Sequence, residues 1–334
     1  MRRLVLLLTL LPLISFAADT VDIYWIDVEG GASTLLVTQA GQSVLMDAGY
    51  DGFGDRDAKR IERVVKEAGL DHIDYFLTSH FHGDHAGGLA ALAKRVKINR
   101  FLDHGESVDK DSGGGKELWE RYLAVTGDKR QAAKPGERLE LKGVELLIVA
   151  AHSRFLHEAL PGGGPNPLCK TFDVRPEDRG ENGKSVGYLL RSGDFEFVNL
   201  GDLSWNFQYQ MACPVNLLGK IDLYQVTHHG GNDVLSQQMW AMEPTVAVMN
   251  NGPTKGAAPE GVETALESPG LDDLWQLHRA VKNDADHNTD ERLTANLGEA
   301  DDCEGHWIHA RVDADGSYTL TNSRNGFSKT YRVK

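Results

Sequence analysis

Cysteine is scarce: three thiols occur in 334 residues, and none of Cys169, Cys213 and Cys303 stands at ligand-like spacing from a histidine. Positive charge is also in deficit, with 35 Lys+Arg against 49 Asp+Glu and a formal charge of −14. Such a surface repels long polyanions and offers no basic stripe for tracking nucleic acid, so stable nucleic-acid binding is not expected. A small anionic substrate stays allowed, because bound divalent ions invert the local field. Beyond the N-terminus no stretch approaches the 18 or so apolar residues that a membrane helix needs. There is no internal repeat at fixed period.

The N-terminus carries Arg2 and Arg3, an apolar run from Leu4 to Phe16, and small residues at Ser15, Ala17 and Ala18. This predicts a secretory signal peptide over residues 1–17, cut after Ala17, and a periplasmic or secreted mature protein with no membrane contact. The run is short for a bilayer anchor. Cleavage takes the formal charge from −14 to −16. In an oxidising compartment three thiols suggest one disulfide and one leftover. The favoured pair is Cys169–Cys213, since both lie in irregular, proline-flanked stretches that need tethering.

Apolar runs read as strands over Val21–Ile26, Ser33–Val37, Ser43–Met46, Ile73–Thr78, Asn99–Asp103, Val186–Leu190, Phe195–Leu200, Ile221–Val226 and Thr245–Met249, with two short strands within Glu140–Val149. Helical spacing appears over Asp55–Leu70, Leu89–Ala93, around Trp119–Leu123 and over Gly261–Leu266. A hairpin is predicted within about 306–332. Residues 153–184, rich in Gly, Pro and charge, read as a long irregular insertion in one domain spanning 18–334. The tryptophans read as core and lid packing.

Polar residues recur where these strands end: Asp47, His80, His104, Asp202, His228-His229 and Asn250. In layered α/β folds, strand ends are where loops carry chemistry. The densest cluster is Ser79-His80-Phe81-His82-Gly83-Asp84-His85-Ala86-Gly87-Gly88. Imidazole and carboxylate suit a borderline-soft divalent ion. Gly83 suggests a tight turn, and Gly87-Gly88 close packing at a helix start. A strand ending in such a loop can aim His80 and His82 at one point and Asp84 and His85 at another, which is geometry for two metal ions.

The pattern His-x-His-x-Asp-His resembles the signature of the metallo-β-lactamase superfamily. The stretches Asp27-Val28-Glu29-Gly30-Gly31-Ala32, Leu45-Met46-Asp47-Ala48-Gly49, Asn199-Leu200-Gly201-Asp202 and Val226-Thr227-His228-His229-Gly230 look like its ComEC-type branch. The resemblance implies an αββα sandwich, two mixed sheets with helices on the outer faces. It also implies two divalent ions, zinc first and Mn or Fe as alternatives. His80 and His82 would hold one ion, Asp84, His85 and His229 the other, with Asp202 bridging and Asp47 orienting from behind. His228 is the alternative ligand to His229, or a proton donor.

Asp84 or Asp202 would accept a proton, and His104 or His228 would give one to the leaving group. His152 is a candidate further ligand. The Gly-His-Pro of ComEC-type domains is replaced by Ala257-Ala258-Pro259, so Lys255 or His278 becomes a candidate substitute. The implied activity is metal-dependent hydrolysis of a phosphodiester or other small ester. A β-lactam or lactone hydrolase with the same metals is the alternative, and a non-catalytic metal-binding or interaction protein the alternative of another class.

Overall fold

A computed structural model describes residues 20–170, 175–298 and 303–334; the signal-peptide stretch lies outside them. Among the described residues there are two nine-stranded sheets and a two-stranded ribbon, Gly164–Pro165 with Val215–Asn216. The first sheet runs in space from Ser328–Arg332 through Ser317–Asn322, Ile308–Val312, Val21–Trp25, Thr34–Thr38, Ser43–Met46, His72–Leu77 and Lys97–Asp103 to Arg130–Ala132. Pairing is antiparallel as far as Ser43–Met46 and parallel beyond it. The second sheet has Thr294–Asn296, Asp273–His278, Val246–Met249, Leu223–Gln225 and Phe195–Asn199 in parallel. Antiparallel strands Gly187–Ser192, Glu145–Ala151 and Arg138–Leu139 then complete its main path.

Alternation within each strand explains the layers, because successive side chains face opposite sides of a sheet. Val21, Ile23 and Trp25 face the second sheet, packing with Ile148, Phe197, Val248 and Trp275. Their neighbours Tyr24 and Ile26 face outward onto helix Arg56–Glu67 and helix Gly113–Thr126. On the other side Leu147, Leu189, Val198 and Ala247 face helices Trp205–Ala212, Ser236–Met242 and Pro259–Leu266. Three apolar layers therefore separate four structural layers: the fold is the αββα sandwich. Trp25 and Trp275 are fully buried between the sheets, and burial of a side chain that large stabilises by roughly 2–3 kcal/mol.

Several elements exceed the sequence reading. The helix around Trp119 begins already at Gly113, and the C-terminal hairpin is joined by a third strand, Ser328–Arg332. Strand Asp273–His278 and helices Trp205–Ala212 and Ser236–Met242 were not anticipated. Among its described residues the irregular stretch holds only short pieces, Arg154–Phe155, Gly164–Pro165 and two single turns. Within it Cys169 is disulfide-bonded to Cys213, 44 residues on, and Cys303 is free. Among the described residues no helix is long and apolar enough to cross a membrane.

Candidate metal centre

The polar strand-end residues come from both sheets and meet along one edge of the sandwich. Asp47 follows Ser43–Met46, and His80 follows His72–Leu77; Asp202, His229 and Asn250 follow the second-sheet strands Phe195–Asn199, Leu223–Gln225 and Val246–Met249. Asp84 and His85 lie on a single helical turn, Gly83–Ala86. That turn is pressed down by the glycines behind it: a Cβ on Gly88 would lie 2.0 Å from the Ala48 carbonyl, and one on Gly87 2.1 Å from that of Gly83. Gly83 meets no such constraint, since a Cβ there would touch nothing. Asp47, His228 and His229 adopt left-handed backbone at φ 65, 51 and 53°, a strain that persists where surrounding contacts over-determine it.

Hydrogen bonds fix which imidazole nitrogens are free. His85 Nδ1 lies 2.8 Å from Asp47 Oδ2 and His229 Nδ1 3.2 Å from the Asn250 carbonyl. Both partners only accept, so Nδ1 carries a proton and Nε2 is the nitrogen left to take a second proton or a metal ion. Those two Nε2 atoms face each other at 3.1 Å. The Asp84 and Asp202 Oδ2 atoms lie 3.1–3.3 Å from them. Two imidazoles and two carboxylates converge this closely only around shared positive charge, protons or a metal ion. Donors bound tetrahedrally at about 2.0–2.2 Å stand about 3.3 Å apart, so Asp84, His85, Asp202 and His229 fit a metal ion, and all four are buried.

A second pair adjoins this set. His80 Nδ1 lies 3.0 Å from Ser79 Oγ, which itself donates to Asp47 at 2.6 Å. His80 Nε2 then faces His82 Nδ1 at 3.0 Å, with Asp202 Oδ2 4.0 Å away. Asp202 thus stands between the two histidine sets. Burial opposes charging of His85, but Asp202, Asp84 and Asp47 outweigh it and raise its pKa well above the usual imidazole value. Burial, then the nearby His85, pushes His80 well below it.

Other candidates lie around this core. His228 is turned aside: its Nδ1 lies 2.7 Å from Asp233 and its Nε2 3.7 Å from Asp202. Lys255 forms an ion pair with Asp84, whereas His278 is buried 2.7 Å from Asp27. Of the two proposed substitutes, only Lys255 reaches the ligand cluster. His152 is exposed at the start of the irregular stretch and outside the four-residue set. His104 is 2 % exposed, and its Nε2 lies 2.8 Å from Glu181.

Glu181, which the sequence reading passed over, also accepts from Phe81 N, Ser107 Oγ and Val108 N at 2.6–2.9 Å. Burial opposes its charge, but His104 first, then Ser107 and the Phe81 amide, hold its pKa down at about 2. A separate group, Asp27, Glu29, His278 and Cys303, also has ligand-type spacing. There Arg60 already answers the charge, 2.7 Å from Asp27 and 3.0 Å from Glu29.

Comparison with known families matches residues 27–169 to the metallo-beta-lactamase superfamily. A metal-dependent hydrolase of the UPF0173 group from Thermodesulfovibrio yellowstonii is 32 % identical over 225 residues, 64 % of this chain and 75 % of that protein. The chain belongs to the metallo-beta-lactamase superfamily. As a superfamily member it is a metal-dependent hydrolase. Recombination protein 2 of Haemophilus influenzae is 23 % identical over 251 residues, covering 75 % of this chain and only 26 % of that protein. Among solved structures, the metallo-beta-lactamase fold protein YhfI from Bacillus subtilis is similar at a TM-score of 0.48 and 12 % identity, covering 87 % of this chain and all of that one. A Cronobacter sakazakii metallo-beta-lactamase gives 0.36 and 22 %, covering 55 % and 60 %.

Proposed function

We propose that this superfamily member is a secreted or periplasmic hydrolase with a two-ion, zinc-type centre that cleaves a phosphodiester or another small ester. The carrying observation is the position of Asp202 between two histidine sets, His80 with His82 and His85 with His229. One carboxylate placed there suits a bridge between two ions, and imidazole with carboxylate suits zinc more than a hard cation. Bound ions of this kind supply Lewis acidity that lowers the pKa of a water toward neutrality and polarises the scissile group.

The chain's own residues do the rest. Asp84 is aimed by Lys255, whose side chain is 40 % exposed and so places one positive charge at the mouth of an otherwise acidic protein. That charge favours a small anionic group over a neutral one. Asp84 and Asp202 are the available proton acceptors. His228 is the available donor, being partly open at 32 % side-chain exposure while His104 is enclosed with Glu181. Burial works against protonation of His228, but Asp202 and Asp233 outweigh it and raise its pKa to about 9. With Asp202 committed as a ligand its pull weakens, moving His228 back toward the neutral range that a general acid needs.

The similarity to recombination protein 2 supports the ComEC-like branch, and with it phosphodiester chemistry. The matching experiment is a panel of nitrophenyl phosphodiesters, carboxylic esters, lactones and β-lactams, with metal-replete protein and its His85→Ala variant as blank. Turnover of phosphodiesters or esters is expected. Turnover of β-lactams alone would overturn the substrate reading, and none above the blank would favour a binding protein. Fractionation of the producing cells, with N-terminal sequencing of the product, checks export and cleavage after Ala17.

A further inference from the structure

The irregular stretch returns to the second sheet beside the histidine loop. Val186 N–H donates to the Ser79 carbonyl at 2.8 Å, one residue before His80. Five residues earlier the Glu181 carboxylate accepts the Phe81 N–H at 2.9 Å, the amide between the two ligands His80 and His82. Its same oxygen takes His104 Nε2, and its other oxygen takes Ser107 Oγ and Val108 N. The Phe81 ring packs against His104 at a centroid distance of 4.9 Å, so both the backbone and the side chain of this residue are held. Glu181 is fully buried, and a buried carboxylate with four donors and no lysine or arginine among those partners is there to hold something in place.

We propose that Glu181 is the positioning residue for the His80–His82 half of the metal centre, setting the angle of both imidazoles through the Phe81 amide. This rests on the two-ion reading above. A carboxylate satisfies all four donors, and its isosteric amide does not. In Glu181→Gln one oxygen becomes an NH2 group, which opposes the Phe81 N–H on one side or the Val108 N–H on the other. Either way a buried backbone donor loses its acceptor. The adjacent Asn182 reaches the opposite wall, its side-chain amide nitrogen 3.2 Å from His228 Nε2. The irregular stretch thus touches both sides of the centre through two consecutive residues.

The test is titration of metal-free protein with Co2+ or Zn2+ alone, followed by calorimetry and by the visible spectrum of the cobalt form. Wild type should show two classes of site, one missing in His80→Ala/His82→Ala and the other missing in His85→Ala. Only one class in wild type would sink the two-ion reading itself, before Glu181 is at issue. With two classes present, Glu181→Gln should weaken the His80–His82 class by about 10–100-fold, the usual cost of losing an outer partner. The His85 class should stay within about threefold, and the cobalt spectrum should change only in the first band set. Equal weakening of both classes, or of neither, would overturn the proposal. Should Glu181→Gln fail to fold, Ser107→Ala decides: a loss in the first class clearly larger than any change in the His85 class supports the assignment, and equal or no change overturns it.

Discussion

At the scale of single residues, Asp47 shows how much one carboxylate arranges. It accepts from Ser79 N at 2.8 Å, Ser79 Oγ at 2.6 Å and His85 Nδ1 at 2.8 Å. It therefore holds His85 directly, and His80 through the serine. Asp47→Asn keeps the shape but presents an amide where a charge-assisted acceptor is needed. Affinity for the ion at His85 should fall about 10–100-fold, read by competition with a coloured chelator; an unchanged value would make Asp47 a mere turn residue. The sequence exposed Asp47, the histidine loop, Asp202 and His229 because each lies in a short motif at a strand end, and the structure draws them together. It did not expose Glu181, which sits among Glu177, Asp178 and Arg179 in a segment without periodicity. Nothing local separates the buried carboxylate from the solvated ones. Spacing alone could not choose between Lys255 and His278 either, since what divides them is whether Asp84 or Asp27 is within reach.

At the scale of elements, the two sheets share a polar tie inside an apolar layer. Gln225 Oε1 accepts Trp25 Nε1 and Thr34 Oγ1 from the first sheet, and Asn199 Nδ2 from its own, at 2.8–2.9 Å. An apolar replacement of similar size leaves three buried donors without a partner, each costing about 1–3 kcal/mol. Gln225→Leu should therefore destabilise by at least about 3 kcal/mol in urea unfolding, and a loss below about 1 kcal/mol would show the tie to be dispensable. The strands that carry this tie were legible because apolar runs bounded by Gly and Asp mark them. Strand Asp273–His278 was not, because Asp272, Asp273 and Gln276 dilute its run; Gln276 is nonetheless fully buried, and its side-chain oxygen accepts from Thr289 N–H. Helices Trp205–Ala212 and Ser236–Met242 were hidden for a related reason. Each is short, with buried Gln208 or Gln238 interrupting the apolar face that would announce it.

At the scale of the whole molecule, buried titratable groups set how stability follows pH, and metal should change that dependence. Burial raises Asp222 to about 6 from an ordinary 3.8, although it accepts from Glu196 N and Lys334 N. Its folded pKa lies above the unfolded one, so the folded state takes up the proton first as pH falls. Stability gains on the order of 2–3 kcal/mol between about pH 7 and pH 4, and loses the same on the way back. His228, raised to about 9, and His85 and His229, also raised, act in the same direction. Their contribution is full below the ordinary imidazole value and is lost as pH rises through their folded values. His80, pushed well below the ordinary imidazole value, acts oppositely between about pH 8 and pH 5, but it is one group against three raised histidines and Asp222. Glu181, held at about 2, loses its stabilisation only as pH falls below its ordinary 4.5 toward 2.

Metal-free protein should therefore be more stable near pH 5 than near pH 8. Metal-loaded protein should lose most of the histidine part of that slope, because ligand imidazoles must be neutral and binding releases their protons. The Asp222 part should survive loading, since that residue lies in strand pairing of the second sheet beside Thr245 and not among the ligands. Urea midpoints from pH 4.5 to 8.5, measured with and without metal, give the two slopes, and Asp222→Asn should flatten both by the same amount. A slope unchanged by metal would mean that His85 and His229 are not ligands. A slope unchanged by Asp222→Asn would mean that this carboxylate is already solvated in the folded state.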